Sequence, residues 1–331
     1  MNVDPAVRKE LDRIAHLSLQ EHVSLSQFTR FGIGGPAAVL VDTTDAGAFA
    51  SALKVVRLSN VPHVVIGGGT NLVVSDAGFD GVVLRFRGAG MEFVDHSLRV
   101  EAGAVLQDVV NAGVARGLKG METMTGIPGY LGAAIYGNAG AYGHSIQERV
   151  VRVHFTDGER LTILNNRECE FEYRESLFKR RKDWVILSVE LRFDEDDQAV
   201  LKKTADEIRA IRDEKYPPSM RCAGSIFKNC FFAQLPPSVQ TQIPPKLVRE
   251  GKVPSAWFLE QVGAKGIRRG DIQVATYHAN LIYNDGAGTA EDLVAIIRQL
   301  KDMVQNRFDF YLEEEVQYVG FERAAVLAGS Q

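Results

Sequence analysis

Hydrophobic residues follow two different periods along the chain, and this predicts a fold that mixes helices with strands. Residues 4–17 place Val7, Leu11, Ile14 and Ala15 on one face, which is the spacing of an amphipathic helix. Short apolar runs bounded by glycine or polar residues indicate strands instead. Further helices are predicted for residues 45–56 with Asp45 as N-cap, 105–118, 202–218 and 289–308 with Thr289 as N-cap, and strands for residues 81–86, 98–104, 150–158 and 311–320.

Two glycine-rich segments interrupt this pattern in the first half of the chain. The first is VIGGGTNLV, residues 65–73, and the second is GIPGYLGAAIYGNAGAYG, residues 126–143, which is too rich in glycine to form one stable helix. Glycine turns let backbone N–H groups approach an anion closely, and a simple strand-to-strand turn would need fewer glycines. The first segment matches neither the Rossmann fingerprint nor the P-loop. Together the two segments favour a different kind of dinucleotide site, in which two backbone walls hold a pyrophosphate.

Composition and charge indicate which classes of protein this chain can belong to. The chain of 331 residues is 45% hydrophobic and 24% charged, as in globular proteins, and its net charge of -4 argues against a general nucleic-acid surface. Its three cysteines contain no CxxC pair, which excludes a disulfide framework and a zinc site and suits a reducing compartment. The N-terminus lacks an apolar signal-peptide core, and no apolar run is long enough to span a membrane. We therefore expect a cytoplasmic, monomeric enzyme that acts on small molecules and binds no metal, nucleic acid or membrane.

A serine motif in the second half has no obvious purpose. In CAGSIFKNC, residues 222–230, Ala223 and Gly224 lead to Ser225, with Lys228 at the S-x-x-K spacing. The motif is not a nucleophile elbow, and no S-D-N or K-T-G follows, so a β-lactamase-like serine is disfavoured. Taken alone, the pattern favours a serine that caps a turn.

Eight motifs in register identify a family resemblance that runs from about residue 25 to residue 320. They are FTRFGIGGPA, VIGGGTNLVVSDAGFDGVVLR, GIPGYLGAAIYGNAGAYG, YRESLFK, AGSIFKN, FLEQVGAKG, HANLIYNDGAGTAEDL and LEEEV. Together they resemble the UDP-N-acetylenolpyruvoylglucosamine reductases, the MurB family of peptidoglycan synthesis. The short connection between YRESLFK and the serine motif resembles the second type, which lacks a substrate-closing loop. Two departures are Cys230, where a proline is usual, and a proline-punctuated insertion at residues 231–254.

The resemblance implies an α+β fold with an FAD-binding domain of the vanillyl-alcohol-oxidase or PCMH type. That domain would consist of two subdomains and be followed by a C-terminal α/β substrate-binding domain. The boundaries we predict are 1–22 for an N-terminal helix, 23–195 for the FAD-binding domain (about 23–85 and 86–195) and 200–325 for the substrate-binding domain.

The resemblance also implies a reaction and its catalytic residues. NADPH, through FAD, would reduce the enolpyruvyl ether of UDP-N-acetylglucosamine to the lactyl ether of UDP-N-acetylmuramate. Negative charge develops on C2 and the carboxylate, so the site needs a charge-stabilising group and a proton donor. Ser225 resembles the proton donor, Arg174 the carboxylate-binding arginine and Glu315 the catalytic glutamate. On an alternating strand Glu313 shares a face with Glu315, so Glu313 remains a competitor.

Binding residues follow from the same motif matches, each beside a plainer structural interpretation. Arg174 could instead form a surface ion pair with Glu172 or Glu175, Tyr142 could be a core residue, and Lys265 could belong to a solvated face. Two other functions stay open: a flavin oxidoreductase of the same fold with another substrate, and a catalytically inactive UDP-sugar sensor. The implied flavin-binding residues are Gly67, Gly68, Gly69, Thr70, Asn71, Gly126, Ile127, Pro128, Gly129, Gly132, Ala133 and Ala134, and the candidates for the UDP-sugar are Tyr142, Lys228, Asn229, Gln261 and Lys265.

Overall fold

The computed structural model describes residues 3–322 and divides them into two compact units. The first unit comprises residues 3–23, Ala37–Gly69 and Asp80–Pro218, and the second comprises Ser24–Pro36, Thr70–Phe79 and residues 219–322. Each unit therefore draws on separated stretches of the chain, and the chain passes from one unit to the other directly after Gly69.

The helices begin where polar caps allow them to begin. The Asp45 carboxylate accepts a hydrogen bond from the N–H of Ala48 at 2.7 Å, and the Thr289 hydroxyl accepts one from Asp292 at 3.1 Å, which confirms both predicted N-caps. The helices are α1 Pro5–Asp12, α2 Ala46–Leu58, α3 Leu106–Val114, α4 Leu131–Tyr136, α5 Leu177–Arg180, α6 Gln198–Lys215, α7 Pro237–Gln240, α8 Ser255–Gln261 and α9 Ala290–Phe308.

The strands are short, and glycine or polar turns separate most of them. They are β1 Ser18–Ser24, β2 Pro36–Thr43, β3 His63–Ile66, β4 Leu72–Val74, β5 Phe79–Phe86, β6 Met91–Val94, β7 Ser97–Glu101, β8 Leu118–Lys119, β9 Gly140–Ala141, β10 His144–Ser145, β11 Val150–Thr156, β12 Leu161–Asn165, β13 Val185–Arg192, β14 Asp194–Glu195, β15 Arg221–Ser225, β16 Cys230–Phe231, β17 Lys252–Val253, β18 Arg268–Arg269, β19 Ile272–Val274, β20 Leu281–Asn284 and β21 Gln317–Val319.

The two larger sheets of the first unit surround one hydrophobic core. One sheet has the order β1-β2-β5-β3, with β3 and β5 parallel, and the other has the antiparallel order β12-β11-β13-β7-β6. The core takes Phe49 and Leu53 from the apolar face of α2 and Val153 and Phe155 from β11, all of them buried. Gly67–Gly69 and the second glycine segment belong to this unit.

The second unit is built on a sheet of order β15-β20-β19-β18 and on the long helix α9. The parallel pair β4–β21 adds a strand from the first half of the chain. The two ends of the predicted insertion at 231–254 lie side by side, because β16 pairs with β17 (Cys230 with Val253). Within it Leu235, Val239 and Ile243 are buried, so the insertion has its own apolar contacts.

Several predicted elements extend beyond the observed ones, including the helix predicted for residues 105–118, which ends at Val114. The first helix ends at Asp12, and His16 then adopts a left-handed backbone (φ 66°), so Ile14 and Ala15 lie beyond the helix. The predicted final strand, residues 311–320, is a strand only over Gln317–Val319. The glutamates before it form only an isolated bridge, between Glu314 and Phe227 of the serine motif. Within residues 3–322, no helix is long and apolar enough to cross a membrane.

Candidate functional site

The first glycine segment forms the turn that follows strand β3. Gly69 has a left-handed backbone (φ 65°), which glycine adopts without strain. A Cβ atom on Gly68 would lie 3.2 Å from the Cα of Gly129, and one on Gly67 would lie 3.4 Å from the Cβ of Ala133. The two glycine-rich segments therefore lie against each other, as the pattern of two backbone walls predicts.

The second glycine segment is anchored on the residues just before and within α3. The N–H groups of Leu131 and Gly132 donate to the carbonyls of Ala104 and Ala102, both at 2.8 Å, and Gly126 N–H donates to Gln107 Oε1 at 2.7 Å. The segment contains only one short helix, α4, as its glycine content predicts. Six predicted flavin residues, Ile127, Pro128, Gly129, Gly132, Ala133 and Ala134, lie in the turn before α4 or in α4 itself.

Two arginines that the sequence analysis did not select lie beside this second segment. A Cβ atom on Gly126 would lie 3.0 Å from Cδ of Arg212 and 3.5 Å from Nη1 of Arg209, both from α6. Their spacing of three residues on one helix could have indicated a shared face. The pair gives the glycine turn positive charge, which suits an anionic ligand.

Arg174 lies at the tip of a two-residue turn. Glu172 and Glu175 exchange backbone hydrogen bonds at 3.0 and 3.2 Å, and Arg174 between them has a left-handed backbone (φ 58°). The Lys179 ammonium fixes this turn by binding the Arg174 carbonyl at 2.9 Å and the Glu175 carboxylate at 2.7 Å. A non-glycine residue in this conformation is strained, and such strain is concentrated at functional sites.

The Arg174 side chain reaches the base of a second hairpin, which presents Tyr142. Arg174 Nη2 donates to the carbonyl of Gly140 at 2.9 Å, where β9 pairs with β10. Tyr142 and Gly143 form the tip, both with positive φ, as a type I′ turn requires. The Tyr142 side chain is half exposed, which contradicts the interpretation of this tyrosine as a core residue.

Ser225 is the last residue of strand β15, whose pairing with β20 is irregular just before it. Cys222 pairs with Tyr283 and Ser225 with Leu281, so two residues, Ala223 and Gly224, face one residue of β20. The extra residue makes this a β-bulge, in which Gly224 has a left-handed backbone (φ 75°). Bulges redirect side chains next to active sites, which gives the small residues before the serine a physical reason.

A short backbone ladder brings Ser225 and Glu315 together within the second unit. Glu315 N–H donates to the carbonyl of Ile226 at 2.7 Å, and Lys228 N–H donates to the carbonyl of Glu313 at 2.9 Å. Phe227 and Glu314 form the bridge between these two bonds. Glu315 is thus bonded to the residue that directly follows Ser225, although 89 positions separate Glu315 from Ile226.

The three neighbouring glutamates have different partners. Glu313 forms an ion pair with Lys228, whose side chain is only 7% exposed. Glu314 binds Lys301 Nζ at 3.0 Å and also accepts from the Tyr318 hydroxyl; burial, and then the Glu314 charge, raise the pKa of Tyr318. Glu315 is held through its backbone, since its carbonyl accepts from Asn71 Nδ2 at 2.9 Å.

Asn280 holds the serine motif from the other side. Its Oδ1 accepts from Phe227 N–H and its Nδ2 donates to the Phe227 carbonyl, both at 2.9 Å, while its own carbonyl accepts from Ile226 N–H at 3.2 Å. Asn280 is 3% exposed. The sequence analysis missed it, because an asparagine in a strand-like run gives no local signal of such a contact.

The remaining candidates for the UDP-sugar also lie in the second unit. Asn229 Oδ1 accepts from Ser255 N–H at 3.4 Å, at the start of α8, and Gln261 is the last residue of that helix. Lys265 pairs with Glu260 at 2.7 Å and is partly exposed, as the solvated-face interpretation would have it. Among the described residues, no group of three or more histidine, cysteine or acidic side chains could hold a metal ion.

Comparison with known proteins identifies the family. A model of the UDP-N-acetylenolpyruvoylglucosamine reductase C-terminal domain matches residues 216–319, and an FAD binding domain model matches residues 37–163. The UDP-N-acetylenolpyruvoylglucosamine reductase of Solibacter usitatus is 55% identical over 93% of this chain and 98% of its own length. The chain belongs to the UDP-N-acetylenolpyruvoylglucosamine reductase family.

Other members of the reductase family agree with this. The Syntrophus aciditrophicus enzyme is 33% identical over 89% of this chain and 90% of its own length. The crystal structure of the Thermus caldophilus reductase superposes with a TM-score of 0.72, at 27% identity and over 92% of this chain and 99% of that one. The family resemblance and the α+β fold, an FAD-binding domain followed by the reductase C-terminal domain, are confirmed.

Proposed function

We propose that this protein is an FAD-containing reductase that converts the enolpyruvyl ether of UDP-N-acetylglucosamine into UDP-N-acetylmuramate with electrons from NADPH. The observation that carries the proposal is the ladder that bonds the Glu315 N–H to the carbonyl next to Ser225 at 2.7 Å. It brings the backbone of Glu315 next to the residue that follows Ser225, and these two residues carry the carboxyl and hydroxyl groups that protonation of C2 would need. The 55% identity to a reductase of this name supports the same substrate.

The glycine segments of the first unit fit the flavin. Gly67–Gly69 leave backbone without side chains where Gly68 approaches Gly129, and Arg209 and Arg212 add positive charge beside Gly126. We propose that these turns, with Thr70, Ile127, Pro128, Gly132, Ala133 and Ala134, form the FAD site. When bound, FAD takes electrons from NADPH and supplies a hydride to C3 of the enolpyruvyl group.

Arg174 would bind the carboxylate of the substrate. Its guanidinium stays charged at every relevant pH and matches a carboxylate with two parallel N–H donors. Negative charge spreads onto this carboxylate as C3 gains hydrogen, so the same contact stabilises the transition state. The strained turn, fixed by Lys179, would hold the guanidinium in place before the substrate arrives.

Ser225 would give its proton to C2, which completes the lactyl group. A hydroxyl is a weak acid, so the serine needs a group that stabilises the developing charge. We propose that Glu315, protonated, donates a hydrogen bond to the enolate, as buried acids do elsewhere. Glu313 and Glu314 are weaker candidates, because the carboxylates of both already form ion pairs with lysine ammonium groups.

For the UDP part of the substrate we propose the side chains that the family resemblance implies. Tyr142 offers an exposed ring at its hairpin tip, and Lys228, Asn229, Gln261 and Lys265 offer polar groups around the serine motif and α8. Lys228 would act partly through Glu313, its ion-pair partner.

The test is a visible absorption spectrum of the purified protein during two anaerobic additions. We expect a flavin spectrum that bleaches with NADPH and recovers on addition of the enolpyruvyl UDP-sugar, with UDP-N-acetylmuramate as product. The Ser225→Ala variant should bleach normally and recover about 10³-fold more slowly, since general acid catalysis typically contributes 10²–10⁴-fold. Bleaching without recovery in the wild type would indicate a flavin enzyme with another substrate, and no flavin after reconstitution with FAD would refute the proposal.

A further inference from the structure

Asn71, the last residue of the GGGTN sequence, makes its side-chain contact with the segment that carries Glu315. Its Nδ2 donates to the Glu315 carbonyl at 2.9 Å, and its own carbonyl accepts from Gln317 N–H at 2.9 Å. The chain divides into its two compact units directly after Gly69, so Asn71 groups with Glu315 and not with the three glycines before it. The motif therefore has two structural parts.

These contacts complete the fixation of the Glu315 peptide. Its N–H is bonded to the Ile226 carbonyl at 2.7 Å and its carbonyl to Asn71, while β4 and β21 begin to pair two residues later. With both backbone groups bonded, only the side-chain torsions of Glu315 remain to be set. Productive geometry in an active site depends on such supporting hydrogen bonds.

We propose that Asn71 is a positioning residue for Glu315, acting through its side-chain amide. The proposal rests on the proposed function, because it assigns Asn71 to the proton-transfer half of that reaction. It also separates Asn71 from Gly67–Gly69: the glycines would serve the flavin, whereas the asparagine amide would serve the reduction of the sugar substrate.

The test separates the two half-reactions in rapid-mixing experiments on the FAD-loaded protein. In Asn71→Ala the amide donor is lost, and in Asn71→Asp an acceptor of the same shape faces the Glu315 carbonyl. We expect FAD affinity and the rate of bleaching by NADPH to stay within about twofold of wild type, while recovery with the enolpyruvyl UDP-sugar slows at least about tenfold, because small misplacements of reacting groups are costly.

A matched control is Asn166→Ala. The Asn166 amide likewise donates to backbone carbonyls, those of Gln147 at 2.7 Å and Val150 at 2.9 Å, but in the first unit, in a turn that carries none of the proposed catalytic groups. This variant should lower the melting temperature and leave both half-reactions unchanged. A comparable melting temperature in Asn71→Ala would then exclude general destabilisation as the cause of slow recovery.

A double-mutant cycle decides between positioning and a merely structural role. If Asn71 acts through Glu315, adding Asn71→Ala to Glu315→Gln should slow recovery by no more than about twofold, since residues that act as one unit are not additive. Independent effects that multiply, or an Asn71→Ala variant that loses FAD instead of recovery rate, would overturn the inference alone. Failure of the wild type to recover would refute the proposed function and the inference with it.

Discussion

The glycine segments of the first unit and the serine–glutamate ladder of the second are organised on opposite principles. In the glycine segments we expect backbone amides to bind the ligand, and glycine provides the space by placing no side chain where Gly68 approaches Gly129. In the ladder we expect side chains to act on the substrate, and the backbone positions them by pairing Glu315 with Ile226. A site of the first kind is sensitive to added volume, and a site of the second kind is sensitive to the loss of single atoms.

The largest effect is expected where the ladder loses the Glu315 carboxyl group. Glu315→Gln should reduce recovery of the flavin with the enolpyruvyl UDP-sugar by about 10³-fold, within the range of general acid–base contributions. Bleaching by NADPH should be unchanged. Glu313→Gln is the matched comparison, and it should cost no more than about tenfold, through Lys228. Equal losses in both variants would contradict the assignment to Glu315.

The middle glutamate should matter for stability and hardly for chemistry. Lys301→Met leaves Glu314 without its ammonium partner in a site where the two side chains are 7% and 16% exposed. Removing one partner of a buried ion pair destabilises strongly, so we expect about 3 kcal/mol from urea unfolding. Recovery per bound flavin should remain within about twofold. Restoration of stability by a second change, Glu314→Gln, would identify the uncompensated carboxylate as the cause.

The glycine segments could be predicted from sequence far better than the ladder. The turn at Gly67–Gly69 can be recognised from a few neighbouring residues, because only a close backbone approach requires so many glycines together. Ser225 and Glu315 come together through hydrogen bonds between segments 89 positions apart, and no local pattern contains that contact. The residue pattern also gave one wrong prediction here. It predicted a strand through Glu313–Glu315, whereas the observed strand covers only Gln317–Val319.

The residues that support the candidate site were the hardest to foresee. Asn280 fixes both backbone groups of Phe227, and Arg212 lies against Gly126, yet neither belongs to a motif with a physical signature. Tertiary contact, and not local propensity, decides such roles. The caps at Asp45 and Thr289 were predictable for the opposite reason, because a cap satisfies N–H groups only two or three residues away.

Added volume should damage the glycine segments more than anything else of similar size. Gly68→Val would force side-chain atoms towards the Cα of Gly129, which a Cβ alone already approaches to 3.2 Å. Overpacking costs about 1–3 kcal/mol, so we expect FAD affinity, measured by fluorescence titration, to fall up to about 100-fold. The control is Gly137→Ala in the same segment, where a Cβ meets its nearest neighbour at an ordinary 3.6 Å. Loss of FAD in the control as well would mean that the segment tolerates no change at all.

The smallest effect concerns the backbone of Arg174, a residue at which both the side chain and the backbone conformation matter. Arg174 supplies a charged side chain, yet its left-handed backbone (φ 58°) is one that glycine adopts freely. Arg174→Gly and Arg174→Ala remove the same guanidinium and its bond to the Gly140 carbonyl, so both should lose turnover to the same extent. They differ in strain alone, and the glycine variant should be more stable by about 1 kcal/mol in urea unfolding. If the alanine variant were the more stable one, the turn would carry no strain, and the arginine would occupy that position at no cost to the fold.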